Sequence, residues 1–198
     1  MNAHKISGNG LRNAPGTPPH IGTPLTEPSI LTRSGQAFYY ERPDDFDYSL
    51  ADIGYALGNL CRYAGQNGWW SVAQHSLLVA WLAEPRDKLR ALLHDASEAF
   101  LVDVPGPLKR MDCMVGYREL EAQVMRAIHR QFGILEDAEA EKRVKRADIL
   151  AYEMESKYLG RGNGYAELSL VIPEEIRRMN RAEAQDEFER MAEWLLEQ

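Results

Sequence analysis

The chain has 198 residues, 44% hydrophobic and 27% charged, with a formal net charge of −7 at pH 7. That length suits one well-buried domain, and no apolar stretch reaches the roughly 20 residues of a membrane span. The acidic balance argues against a protein that grips nucleic acid through a basic face, while the polar start MNAHKISGNGLRNAPG lacks a signal-peptide core and Cys61 and Cys113 make no disulfide framework, so a cytoplasmic location is expected.

Residues 1–28 are rich in proline, glycine, asparagine and threonine and read as an irregular arm ahead of a domain spanning 29–198. ILTRSGQAFYYERP then offers two short β-prone pieces around Ser34-Gly35, a small hairpin. From there the hydrophobic period is helical. Ser49 to Asp52 is a start signal, and Ile53, Leu57, Leu60 and Cys61 predict a first helix reaching Ala64-Gly65. Ser71 to Gln74 is a capping box opening a second helix through Val72, His75, Val79 and Leu82, which stops before Pro85. A third is predicted from about Arg86 to Phe100, until DVPGPL breaks it. Tyr117, Leu120, Val124, Ile128 and Phe132 mark a fourth helix ending near Gly133. A fifth, from about Asp137 to Leu159, turns Val144, Ala151, Met154 and Tyr158 to one side. GRGNGYAEL reads as a loop, and Glu174 to Leu196 as one or two helices divided at Asn180. The pattern predicts an all-α helical bundle carrying one small hairpin.

Three places break the amphipathic rule. His75 lies one turn from Val72 and Val79, where the core should be. His94 and Asp95 interrupt the apolar run of ALLHDASEAF, and Asp148 sits one turn from Val144 on the inner stripe of the fifth helix. Taken singly, each has an ordinary explanation. A core histidine commonly bonds a carbonyl, and Asp148 has Lys145 and Arg146 close by. Taken together, two imidazoles and two carboxylates from three helices all face inward. One divalent cation accounts for the set, because neutral imidazole and carboxylate are its ligands and its charge offsets the cost of burial. There is no Cys-x-x-Cys pair for a structural zinc, and four mixed nitrogen and oxygen ligands leave coordination positions for water. His129, beside Arg126 and Arg130, lacks such company and reads as structural.

The pattern His75…His94-Asp95…Asp148 resembles the HD-domain metal-dependent phosphohydrolases. The words SVAQHSLLVA, LLHDASEAFLVDVPGPLK and RADILAYEME are similar to the branch holding bacterial deoxyribonucleoside 5′-nucleotidases and phage-type HD hydrolases, including phage dATP triphosphohydrolases. The likeness runs over roughly residues 30–160. It is carried by the HD pair followed by Ala-Ser-Glu, by Asp103 eight residues after Asp95, and by Pro105-x-Pro107-x-Lys109. The resemblance implies an HD-domain bundle with His75, His94, Asp95 and Asp148 as ligands of one divalent metal ion, whether Co, Mn, Zn, Mg, Fe or Ni. It implies Glu98 as the acid that holds the attacking water and Asp103 as a further acid near the substrate. Arg62 matches an arginine that grips phosphate, Lys109 is a second phosphate candidate or else a solvated surface lysine, and Tyr63 stands where the nucleotidases have a tryptophan against the sugar.

The implied activity is metal-dependent hydrolysis of a small-molecule (deoxy)nucleotide in a homo-oligomeric enzyme, without a nucleic-acid or membrane partner. The reaction is either 5′-nucleotidase cleavage of a monophosphate or triphosphate release from a dNTP such as dATP. The alternative is a non-catalytic nucleotide sensor that retains the HD fold. A sensor is free to lose Glu98 or Asp103, and this chain has both.

Overall fold

The first described element is the hairpin. In a computed structural model, which describes residues 27–160 and 169–198, strands β1 (Ser29–Leu31) and β2 (Ala37–Tyr39) pair antiparallel with Ile30 opposite Phe38. Gly35, at φ +84°, takes the left-handed step of the turn. The pleat sends Phe38 into the core, where its ring meets those of Tyr40, Phe46, Tyr48 and Phe100 at 4.6–6.3 Å between centroids. Residues 1–26 of the expected arm, and most of the GRGNGYAEL stretch, lie outside the described residues.

Helix α1 (Leu50–Asn59) starts where expected, with the Ser49 hydroxyl accepting from the Asp52 amide. It ends five residues earlier than the periodicity suggests. Leu60 is extended, and Cys61 pairs as an isolated bridge with Ser71. The Arg62 and Val72 amides bond the carbonyls of Trp70 and Leu60. Those partners lie some ten residues away, so no local pattern announces them. The chain then forms a 3-10 turn over Arg62–Gly65, with Tyr63 and Ala64 in the left-handed region at φ 61° and 53°. Such backbone costs about 1–3 kcal/mol per non-glycine residue and persists only where surroundings enforce it.

Helix α2 (Val72–Leu82) has the expected capping box between Ser71 and Gln74 and is buried continuously from Val72 to Ala80. It is therefore the central rod, packed around its circumference, with Gln74, His75 and Ser76 as its buried polar residues. The predicted third helix is in fact two short ones, α3 (Lys88–Leu92) and α4 (Glu98–Leu101), separated by turns. The cause is local. The Ala91 carbonyl, which an α-helix would offer to the Asp95 amide, instead accepts from His94 Nδ1 at 2.7 Å. The backbone continues with tighter i+3 bonds from Ala96 to Leu93 and from Glu98 to Asp95. Val102 leaves α4 at φ 64° and ψ 159°, a region that glycine alone adopts freely. Helix α5 (Gly106–Lys109) follows Pro105.

Helices α6 (Val115–Gln131) and α7 (Ala138–Tyr158) agree with the sequence, down to Gly133 at φ +69° and Asp137 capping α7. Tyr158, expected on the inner side of α7, is instead half-exposed, its ring 5.8 Å from that of buried Trp70. The C-terminal segment is two helices, α8 (Glu174–Arg178) and α9 (Arg181–Leu196), with Asn180 forming a capping box with Glu183. Helix α9 lies close along α1, because a side chain at Gly58 would approach Gln185 Cγ to 2.3 Å. The Gln74 amide donates to the Ile176 and Met179 carbonyls and ties α8 to the start of α2. Among the described residues, 65% are helical and 5% strand, a mostly helical fold with one small two-stranded sheet. Among the described residues no helix is long and apolar enough to cross a membrane.

Candidate metal centre

The first turn of α2, the turn between α3 and α4, and the middle of α7 meet at one point. Ligand atoms of His75, His94 and Asp95 all lie within 4.8 Å of one another. In a regular helix, successive side chains point about 100° apart. The broken backbone after Leu92 is what lets the adjacent His94 and Asp95 face the same centre, with His94 Nε2 3.1 Å from Asp95 Oδ2. From α2, His75 Nε2 lies 3.6 Å from the same Asp95 oxygen. From α7, Asp148 Oδ1 lies 3.1 Å from His75 Nε2 and 3.9 Å from His94 Nε2. The structure thus brings all four predicted ligands together, three of them mutually within the tighter limit.

The residues fit a divalent cation on an observation independent of that spacing. Both Nε2 atoms are buried and have no hydrogen-bond partner among the described residues. Both Nδ1 atoms are engaged on the far side, His94 with the Ala91 carbonyl and His75 with Glu155 Oε1, each at 2.7 Å. With the proton on Nδ1, each ring presents an Nε2 lone pair to the centre, and the partner behind it fixes orientation and raises basicity.

Charge around the centre points the same way. Although burial opposes it, the neighbouring His94, His75 and Arg62 hold the Asp95 carboxyl well below the usual carboxylate range. Asp148 is likewise held low, against burial, by His75 and His94. Burial and Arg62 push His75 down, yet Glu155 and Asp148 outweigh them and hold it up at about 9.

Glu155 is the residue the sequence reading missed. It is fully buried on α7, and beside His75 it holds Arg62 Nε at 3.2 Å and accepts from the Tyr63 hydroxyl. Burial, then Glu155, push the Tyr63 hydroxyl above its ordinary pKa, so it stays a donor. A signal was present. Glu155 lies two turns after Asp148 on the same inner stripe, one turn after Ala151 and next to Met154, with no basic residue three or four positions away.

Arg62, predicted for phosphate, projects from the left-handed turn with Nη1 3.7 Å from Asp95. Its charge is secured by Glu155, Tyr63, Asp95 and Asp103 against the cost of burial. Glu98, at the start of α4, is buried and its Oε2 has no partner among the described residues. Burial, with Asp95 and Asp103 nearby, raises its carboxyl well above the ordinary range. Lys109 Nζ reaches it from α5 at 3.6 Å while pairing with Glu121 at 2.6 Å, so Lys109 belongs to the rim of the site rather than to bulk solvent. Asp103 is half-buried and its carboxyl is raised by burial and by Asp95. His129 does not join the cluster. The arrangement can hold a cation, keep a carboxylic proton beside it, and offer two fixed cations to an anionic ligand.

No family model matches the chain. The chain is 35% identical over 136 residues to the uncharacterized protein YfdR of Escherichia coli (strain K12), a match covering 68% of this chain and 74% of YfdR. It is 34% identical over 138 residues to the uncharacterized protein RCAP_rcc00048 of Rhodobacter capsulatus, covering 64% of this chain and 70% of that protein.

Proposed function

The chain belongs to the family that holds YfdR and RCAP_rcc00048, and we propose that it is an HD-type metal-dependent phosphohydrolase acting on (deoxy)nucleotides. One observation carries the reading: two buried imidazole Nε2 atoms, each braced through Nδ1, converge with the Asp95 and Asp148 carboxylates beside a buried acid and an arginine. When bound, the cation supplies Lewis-acid charge for a phosphate oxygen and for water.

The protein's own residues supply the rest. Arg62, pinned by Glu155, presents a fixed guanidinium edge to phosphate without having to be ordered on binding. Glu98 retains a proton at neutral pH more readily than an exposed glutamate. It is thereby suited to exchange a proton with water or with the leaving oxygen. Asp103 and Lys109 bracket Glu98 and set how readily that proton moves. The aromatic ring of Tyr63, fixed through its hydroxyl, bounds the place of the sugar.

The test is a screen of purified, metal-supplemented protein against ribo- and deoxynucleoside mono- and triphosphates, with phosphate and triphosphate detected separately. Hydrolysis that a chelator abolishes and added metal restores is the expected result. Nucleotide binding without turnover across metals would instead favour the sensor.

A further inference from the structure

We propose that Tyr117 is a positioning residue: its hydroxyl latches Val102 in a strained backbone state and thereby presents Asp103 to the candidate metal centre. The catalytic consequence of the latch rests on the phosphohydrolase reading above. Val102 leaves α4 at φ 64° and ψ 159°, a region unfavourable to every residue but glycine. Strain of this kind lasts only where the surroundings enforce it. The valine side chain does not enforce it, because 56% of its surface is exposed. The backbone is held instead. The Val102 amide donates to the Glu98 carbonyl at 2.9 Å. From the first turn of α6, the Tyr117 hydroxyl donates to the Val102 carbonyl at 3.0 Å and shares its proton with the Leu101 carbonyl at 3.3 Å.

Asp103 is the next residue. Its carboxyl lies near enough to Arg62, Asp95, Lys109 and His75 for the charge of each to act on it. The direction in which the chain leaves Val102 therefore decides whether this acid stands at the site. The start of α6 also fixes the rest of this rim. Arg118 Nη1 donates to the Lys109 carbonyl at 2.6 Å and to the Met111 carbonyl at 3.0 Å. Glu121 holds Lys109 Nζ at 2.6 Å, and that ammonium lies 5.8 Å from the centre of the Tyr117 ring. A plainer role for Tyr117 is to satisfy the last carbonyls of α4. Tyr40 does that one residue earlier, where its hydroxyl donates to the Phe100 carbonyl at 3.2 Å. The two tyrosines thus make the same kind of bond at the same helix end, and Tyr117 alone makes it at the strained step.

The experiment compares Tyr117→Phe, Tyr40→Phe, Val102→Gly and the Tyr117→Phe/Val102→Gly pair with the parent. Backbone NMR of the full chain in Mg2+ reads the Asp103 amide shift and the Val102 amide–α-proton NOE, which is strong only at positive φ. Turnover is measured on the nucleotide that the screen above cleaves fastest. In Tyr117→Phe the NOE should weaken and the Asp103 amide should move. Because misplacing a group by about 1 Å can cost about 10²-fold, kcat should fall about tenfold or more with KM within about twofold. Glycine adopts the strained step freely, so adding Val102→Gly should return kcat to within about twofold of the parent. Tyr40→Phe should leave the NOE, the Asp103 shift and kcat as they are. An unchanged Val102 NOE in Tyr117→Phe overturns the latch, whatever the activity. So does a loss of kcat that glycine does not repair, or an equal loss in Tyr40→Phe. A parent that cleaves no nucleotide with any metal overturns the phosphohydrolase reading instead, and the NOE still decides the latch.

Discussion

Replacing Glu155 with glutamine keeps the shape of the side chain and removes its charge. The carboxylate is fully buried and serves three partners: His75 Nδ1 at 2.7 Å, Arg62 Nε at 3.2 Å and the Tyr63 hydroxyl. Two losses follow. Behind a ligating histidine, removal of the supporting acceptor typically lowers metal affinity 10–100-fold, about 1.4–2.7 kcal/mol. Breaking a buried ion pair from one side costs about 3–5 kcal/mol, because the other charge stays buried. Arg62 retains Asp95 at 3.7 Å, and the amide retains a carbonyl acceptor, so we expect the lower end, about 3 kcal/mol. At about 2–4 °C per kcal/mol for a chain this size, the metal-free Tm should fall by about 6–12 °C. The assays are calorimetric titration with Co2+ and urea unfolding of chelator-treated protein. Affinity within twofold of the parent, with stability within about 0.5 kcal/mol, would refute the role given to Glu155, since surface substitutions already scatter that much.

Asp95→Asn and Asp148→Asn should each lose most bound metal and activity while remaining folded, because a neutral amide is easier to bury; full occupancy by elemental analysis in both would sink the four-residue site. Glu98→Ala should keep the metal and lose about 10²-fold or more in turnover, and a near-normal rate would move the acid's role to Asp103. The folded chain holds the Glu98 proton more tightly than the unfolded chain, whose glutamate titrates near 4.5, so Glu98 costs stability increasingly as pH rises above that value. Metal-free Glu98→Gln should accordingly melt higher than the parent at pH 7 and converge with it toward pH 4, and the opposite ordering would contradict the burial argument. With His75 held up at about 9, a cation must displace its proton, so metal affinity should rise about tenfold per pH unit between pH 6 and 8. A plateau already reached at pH 7 would show that the proton is absent.

What could be read directly was local. The hairpin is announced by Ser34-Gly35, α2 by its capping box, and the α8–α9 division by Asn180. Each signal lies within a few residues of the feature it creates. The overlong first helix failed for the opposite reason, since Leu60 to Arg62 turn away to pair with a strand-like stretch at Trp70 to Val72. The third helix failed because the helical spacing of Leu92, Ala96 and Phe100 carries across the break while one imidazole takes a backbone acceptor. His75, His94, Asp95 and Asp148 were legible because charge on an apolar stripe is costly and conspicuous. Glu155 had the same signature but was hidden in a helix that also carries the exposed acids Glu139 and Glu141, and only the packed α2–α7 contact shows what it faces.

The buried bonds of the centre join residues 80, 92 and 93 positions apart in the chain. Closing loops of that length precedes any return from the contact, so these bonds belong to the late part of folding, after the capped helices have formed. A cation in the refolding buffer thus meets a chain that does not yet own a site for it. Interactions absent from the transition state slow unfolding and leave the folding rate alone. Metal loading should therefore shift only the unfolding arm of a denaturant rate profile, and the ion would govern how long a molecule lasts rather than how fast it is made.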